Sequence, residues 1–320
     1  MSAHENGKRW SILVALDGSP AAATALPTAL RVAAQLEANC QALHVISDSG
    51  PFAYLSRPFA QSLETMTGIK LRPDLIAPTV QLLQTLTAPG SVIMRAFLHT
   101  ELRVDVGDPA AGIVRASADP EVALVVLTTH GHMIEPGRTL GRVAEQVIAA
   151  ATRPILLIRP EAATTSSFQG TALQRLLLPI DGTPTTFALL SPATELAGQL
   201  GAAVDLLYVA DPGAAPPDEP GSLGAPRYVD QPQHEWPQWA NEVIARLGAA
   251  CESSPPDVPT RVFLARGEIG REIARFAAEQ QSDVVVLARR SQFEPGRAQV
   301  LRTVLDQTPC PVLLLGGASD

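Results

Sequence analysis

The chain reads as an α/β protein built from two tandem copies of one doubly wound domain. Three observations predict this. Short apolar segments recur at a near-constant offset, Val/Ile/Leu-rich runs alternate with helix-like stretches inside each copy, and a polar stretch with neither pattern separates the copies. "ILVALDGSP" begins at Ile12 and "LLLPIDGTP" at Leu176, an offset of 164 that also relates "ALHVI" at Ala42 to "LLYVA" at Leu206. After a net deletion of four residues the match resumes at 160, where "VDVGDPAAGIVRASA" (104–118) faces "LARGEIGREIARFAA" (264–278) and "LVVLTTHG" (124–131) faces "VVVLARRS" (284–291). Self-similarity in this order means one structural unit written twice. The seam lies in "PEAATTSSFQG", so domains are expected over 1–160 and 171–320 with a linker over 161–170.

Within the first copy, residues 11–16, 41–46, 101–106, 122–128 and 154–158 have the length and composition of buried parallel strands. After the first, Ser19 stands at an N-cap position with Pro20 in the first turn, and Ala22, Leu26, Ala29, Ala33 and Leu36 follow on one helical face. Pro27 interrupts that face and is expected to kink the helix or delay its start; Pro192 sits in nearly the same place in the second copy. Residues 48–90 and 211–258 resist assignment. The second of these contains "DPGAAPPDEPGSLGAP", too rich in Pro and Gly for regular structure, and both differ between the copies. Gly107, Asp108 and Pro109 close the third strand and open a helix. The alternation predicts right-handed crossovers around a parallel sheet. Such sheets take ligands beyond the carboxyl ends of their strands, where the strand order switches. That directs attention to "TTHGHMIEPGRTLGR" (128–142), which follows the fourth strand.

Composition narrows the functional classes. The 320 residues suit two domains, and 46% hydrophobic with 18% charged residues is ordinary for a globular protein. No apolar run is long enough to span a bilayer, and "MSAHENGKRW" has no apolar signal core, so a cytoplasmic location is expected. A net charge of −8 argues against nucleic-acid binding. Cys40, Cys251 and Cys310 lie far apart without metal spacing. His130 and His132 share a loop without an evident third ligand, and are read as solvated or near phosphate. His44 falls in a strand pattern and is read as a core histidine. No nucleophile elbow, Walker lysine or defined carboxylate pair is present, so no catalytic residue is assigned and at most a slow ATPase is expected.

The segments "ILVALDGSP", "ALHVI", "VGDPAAGIVRASA", "VVLTTHG" and "VAEQVIAAATRPILLIRP" together resemble the universal stress protein family. The second copy resembles it through "LLLPIDGTP", "LLYVA", "VVVLARRS" and "PCPVLLL". The resemblance covers nearly the whole chain, apart from the variable segments and the linker. It implies two tandem Rossmann-like domains, each a five-stranded, mostly parallel sheet flanked by helices. Some members bind ATP and others do not. Binders carry G-x-x-G-x9-G-[S/T] after the fourth strand. Carried onto copy one, the first glycine falls on Thr128, the second on Gly131, the third on Gly141 and the hydroxyl on Arg142. Thr128 narrows the backbone approach a glycine allows, and Arg142 replaces a hydroxyl with a cation suited to phosphate.

The same matching implies Asp17 beside adenine and ribose, Val45 meeting the adenine edge through its backbone, and Ala15, Leu127 and Val143 lining the pocket. The implied ligand is ATP or a related adenine nucleotide, with Mg2+, acting as a conformational ligand in a stress response. The alternative is a nucleotide-free module that meets a protein partner through segments 48–90 and 211–258. Asp17 also reads as a simple turn cap, a reading favoured by its counterpart Asp181. In copy two, "ARRS" (288–291) replaces "TTHG" and Ala298 replaces the third glycine, so the phosphate loop is degenerate although Asp181 and Val209 persist. The apolar strands near the domain ends need cover as sheet edges, so the copies are expected to pack as a pseudo-dimer, with homodimerisation of the chain.

Overall fold

A computed structural model describes residues 10–46, 100–131, 138–160, 172–210, 220, 222, 241–243, 245–246, 257–289 and 295–316. The linker, segment 48–90, most of 211–258, and His132, Gly137, Arg290 and Ser291 lie outside the described residues. The chain divides into two compact units, Ala3–Ala163 and Thr164–Asp320, the latter grouped with Met1–Ser2.

The N-terminal unit runs β1 (Ser11–Leu16), α1 (Pro20–Ala23), α2 (Ala25–Gln35), β2 (Asn39–Ile46), β3 (Glu101–Val106), α3 (Pro109–Ser117), β4 (Val122–Thr128), α4 (Arg142–Ala150) and β5 (Ile155–Ile158). Its strands lie parallel in the order β3-β2-β1-β4-β5. The C-terminal unit repeats the plan with β6 (Arg175–Ile180), α5 (Pro184–Phe187), α6 (Leu190–Leu200), β7 (Ala203–Ala210), β8 (Thr260–Arg266), α7 (Ile269–Glu279), β9 (Val284–Arg289), α8 (Pro295–Gln307) and β10 (Val312–Gly316). Its parallel order is β8-β7-β6-β9-β10.

The central strands are apolar apart from terminal residues such as Ser11, Thr128 and Arg175, as a parallel sheet covered on both faces requires. All residues of β1 and β4 are buried. Pro27 delays the helix rather than kinking it. The chain breaks at Thr24 and restarts at Ala25, which places Pro27 in the first turn of α2, where its missing N–H is not needed. Pro192 occupies the same place in α6. The turn from β1 to α1 requires Gly18 at φ 84°, and Gly182 repeats it at φ 81°. Asp205 stands out in the apolar run of β7. Its fully buried carboxylate is gripped from β8 by Arg261 through two hydrogen bonds of 2.8 Å.

Candidate functional site

In the N-terminal unit the chain builds outward from β1 through β2 to β3, then crosses to β4 on the other side of β1. The strand order therefore switches between β1 and β4, whose carboxyl ends lie side by side. Asp17 follows the first end, and Thr129, His130 and Gly131 follow the second.

Two loops meet at that point. The Ser19 backbone N–H and hydroxyl donate to Asp17 Oδ1 at 2.9 and 2.6 Å, and Ser19 Oγ in turn accepts from the Ala22 N–H at 3.0 Å. This anchors Asp17 as the turn cap the sequence suggests. The other carboxylate oxygen faces across the switch. A Cβ built on Gly131 would stand 1.8 Å from Asp17 Oδ2, so the glycine's missing side chain is the space the carboxylate fills. Thr128 does not belong to the loop. It is the last residue of β4, buried and paired with Ile158, a position that suits a β-branched residue.

The loop is tied at its neck by Thr129. Its N–H donates to the Ile158 carbonyl at 2.9 Å and its carbonyl accepts from the Gly141 N–H at 2.7 Å. The buried hydroxyl lies 3.1 Å from His130 Nδ1. Sequence reasoning passed over Thr129; the family pattern treats it as a free position, and its role appears only when the strands are assembled. Gly141 is the N-cap of α4, without a side-chain capping bond, and a Cβ there would make ordinary contacts at 3.5 Å and beyond. Gly141 thus lends no side-chain cap to the first amides of α4, and free amides at a helix start favour an anion. Arg142 and Val143 open the helix and are exposed, Val143 at 37%. Arg138 instead pairs with Glu145 at 2.5 Å.

The remaining residues are less directly placed. Ala15 and Leu127 are buried in β1 and β4 beneath the switch. Val45 lies one residue beyond the last pairing of β2 with β1, Leu16 with His44, and its side chain packs against Gly112 of α3. Asp105, its neighbour on β3, is held below the usual carboxylate range, first by the hydrogen bond from Arg115. His44 is buried with Nδ1 2.8 Å from the Leu16 carbonyl oxygen, as expected of a core histidine. Among the described residues no three His, Cys, Asp or Glu side chains form a metal-binding group.

The C-terminal unit keeps the turn but changes the strand end. Asp181 Oδ1 accepts from the Thr183 N–H and hydroxyl and from the Thr186 hydroxyl at 2.6–2.9 Å. Arg289 replaces Thr129 at the end of β9, and its guanidinium comes within 3.3 Å of a Cβ built on Gly316. Tyr208 replaces His44.

The family model described as "Universal stress protein family" matches residues 10–159 and 172–316. A curated universal stress protein from Mycolicibacterium smegmatis is 28% identical over 159 residues, which are 50% of this chain and 48% of that one. The chain thus spans about half the length of that relative. The crystal structure of a universal stress protein from Archaeoglobus fulgidus DSM 4304 superposes with a TM-score of 0.60 at 15% identity, covering 97% of each chain. A protein from Pseudomonas aeruginosa PAO1 superposes at 0.52 and 15% identity, covering 96% of this chain and 92% of that one. Both show the fold. A universal stress protein in complex with cAMP matches 46% of this chain and 99% of its own at 17% identity, with a TM-score of 0.32.

Proposed function

The chain belongs to the universal stress protein family, and on that premise we propose that its N-terminal unit binds ATP or a related adenine nucleotide as a conformational ligand in a cytoplasmic stress response. The observation that carries this reading is the convergence, at one topological switch point, of Asp17, the His130–Gly131 loop end and the start of α4 with Arg142 exposed upon it. An anion at that helix start gains from the α4 amides and from a guanidinium able to bind two phosphate oxygens. The residues fit a nucleotide. Gly131, Gly141 and Arg142 would hold the phosphates, the Val45 backbone would meet the adenine edge, and Asp17 would reach ribose or a magnesium ion carried by the phosphates. Bound nucleotide would bias the loop from Gly131 to Arg142 toward one state, which requires no bond-breaking chemistry.

Calorimetry tests this. ATP should bind the parent, and Arg142→Ala should weaken it about 10- to 100-fold, the range of a charged hydrogen bond. Adenosine should be affected much less. Equal losses for both ligands would place Arg142 outside phosphate recognition. A parent that binds neither would favour the nucleotide-free alternative, in which a protein partner is met through segments 48–90 and 211–258.

A further inference from the structure

β8 is the outermost strand of the C-terminal unit, and among the described residues it pairs with β7 alone. The Val204 N–H donates to the Pro259 carbonyl at 2.8 Å, and the Gly267 N–H donates to the Ala210 carbonyl at 3.1 Å. Val204 stands opposite Thr260 and Ala210 opposite Arg266, so the odd-numbered residues of β8 turn their backbone groups toward β7. The N–H and C=O groups of Thr260, Val262, Leu264 and Arg266 therefore point to the outer edge. Among the side chains, the Phe263 ring meets Phe276 of α7 at 4.8 Å between centroids, and the Arg261 guanidinium lies 5.2 Å from the same ring. Val262 and Leu264 project from the opposite face. They are 44% and 54% exposed, whereas their counterparts on β3, Leu102 and Val104, are half-buried. An edge strand with outward backbone groups and bare apolar side chains is a template for another strand.

We propose that β8 is an interaction surface for a second copy of this chain, the two β8 strands pairing antiparallel about a two-fold axis at Phe263. The strand is self-complementary in that register. Thr260 faces the second copy's Arg266, Arg261 faces Ala265, Val262 faces Leu264, and Phe263 faces itself. Every residue with outward backbone groups then falls in a mutually hydrogen-bonded pair. The exposed Val262 and Leu264 of each copy cover those of the other, and neither arginine opposes an arginine. Moving the axis to Val262 or Leu264 keeps the hydrogen-bond pattern but sets Leu264 against Thr260, or Val262 against Arg266. The equivalent edge of the N-terminal unit is built against such pairing. The same axis at Arg103 of β3 would set Arg103 against itself and Glu101 against Asp105, and like charges directly opposite repel. One copy of the domain guards its edge with charge, and the other leaves an apolar edge that matches itself. The surface belongs to the C-terminal unit and is independent of the nucleotide reading.

Analytical ultracentrifugation of the full chain over a concentration series tests this. The parent should double its mass as concentration rises through the micromolar range. Val262→Lys combined with Leu264→Lys should weaken association at least about 10-fold, because lysines of the two copies then oppose each other. Val262→Glu combined with Leu264→Glu should do the same through carboxylates. Both positions are exposed, so the monomer should tolerate either pair. Mixing the lysine and glutamate variants should restore a dimer, now between unlike chains, which separates a lost interface from a lost fold. A parent that stays monomeric through that range overturns the proposal. So does a dimer that survives in the lysine variant, which would place the interface elsewhere. A mixture of the two variants that fails to associate overturns it as well, since opposite charges in this register should attract.

Discussion

A methyl group at residue 131 would stand 1.8 Å from Oδ2 of Asp17, and 2.8 Å from its Cγ. That carboxylate cannot simply swing aside, because Oδ1 is fixed by the Ser19 N–H and hydroxyl. Gly131 takes no positive φ, so an alanine there meets a packing problem rather than a backbone one. Gly131→Ala should therefore destabilise the protein with no ligand present, by about 1–3 kcal/mol, the usual cost of overpacking. The cost should shrink in an Asp17→Ala background, leaving a coupling of about 1 kcal/mol or more in a double-mutant cycle. Urea unfolding of the four proteins measures it. Equal costs in the two backgrounds would separate the residues. The glycine that the family pattern assigns to phosphate approach is thus already occupied on one side by a side chain of the same protein.

Among the elements, β2 and β7 show how one scaffold is refitted. His44 on β2 directs Nδ1 to the Leu16 carbonyl, while its counterpart on β7 is Tyr208, 3% exposed. Burial, and then the charge of Asp181, push the Tyr208 phenol up to about 12 from an ordinary value of 10. Both causes favour the neutral form in the folded state. The stability this contributes is present in full below the ordinary value and is lost as pH rises through about 12. In an ultraviolet titration of the three tyrosines, one should ionise near 12, and Tyr208→Phe should remove that step and flatten the alkaline loss of stability. Three tyrosines ionising together near 10 would refute it.

The elements themselves were legible in the sequence for local reasons. β1 and β4 are apolar runs apart from the terminal Ser11 and Thr128, the Asp17 and Asp181 turns are short-range hydrogen bonds, and each helix restarts so that Pro27 or Pro192 falls in a first turn. What was not legible depends on partners distant in the chain. Asp205 looks misplaced in "AVDLLYVA" until Arg261, 56 residues later, lies beside it on β8. Gly131 meets Asp17, and Thr129 joins β5 to α4, only because β1, β4 and β5 are neighbours in the sheet. Matching to a family pattern finds the glycines, but the group that fills the space beside one of them comes from another loop.

At the scale of the whole molecule, the question is how far two copies of one plan have diverged. Each unit buries its own core. Ile12, Leu13, Val126 and Leu157 are fully buried in one, and Leu177, Val204, Leu207 and Val312 in the other. Residues 3–163 and 164–320, made as separate chains, should therefore each fold and melt cooperatively. Under the proposed function they should differ in ligand binding. The first half keeps Gly131 and Gly141 with Thr129 at the loop neck. The second has Arg289 at the neck position and neither glycine, so no glycine at those two positions admits a phosphate close to the backbone. Calorimetry should find about one ATP per full chain, with the same affinity in the isolated first half and none in the second. Equal binding by both halves would show that the second strand end uses a different phosphate device, built on its arginines. If the copies form a pseudo-dimer, as their apolar terminal strands led us to expect, the two halves should associate again when mixed and elute together from a sizing column. Separate elution at micromolar concentration would argue that the linker, and not an interface, keeps the copies together.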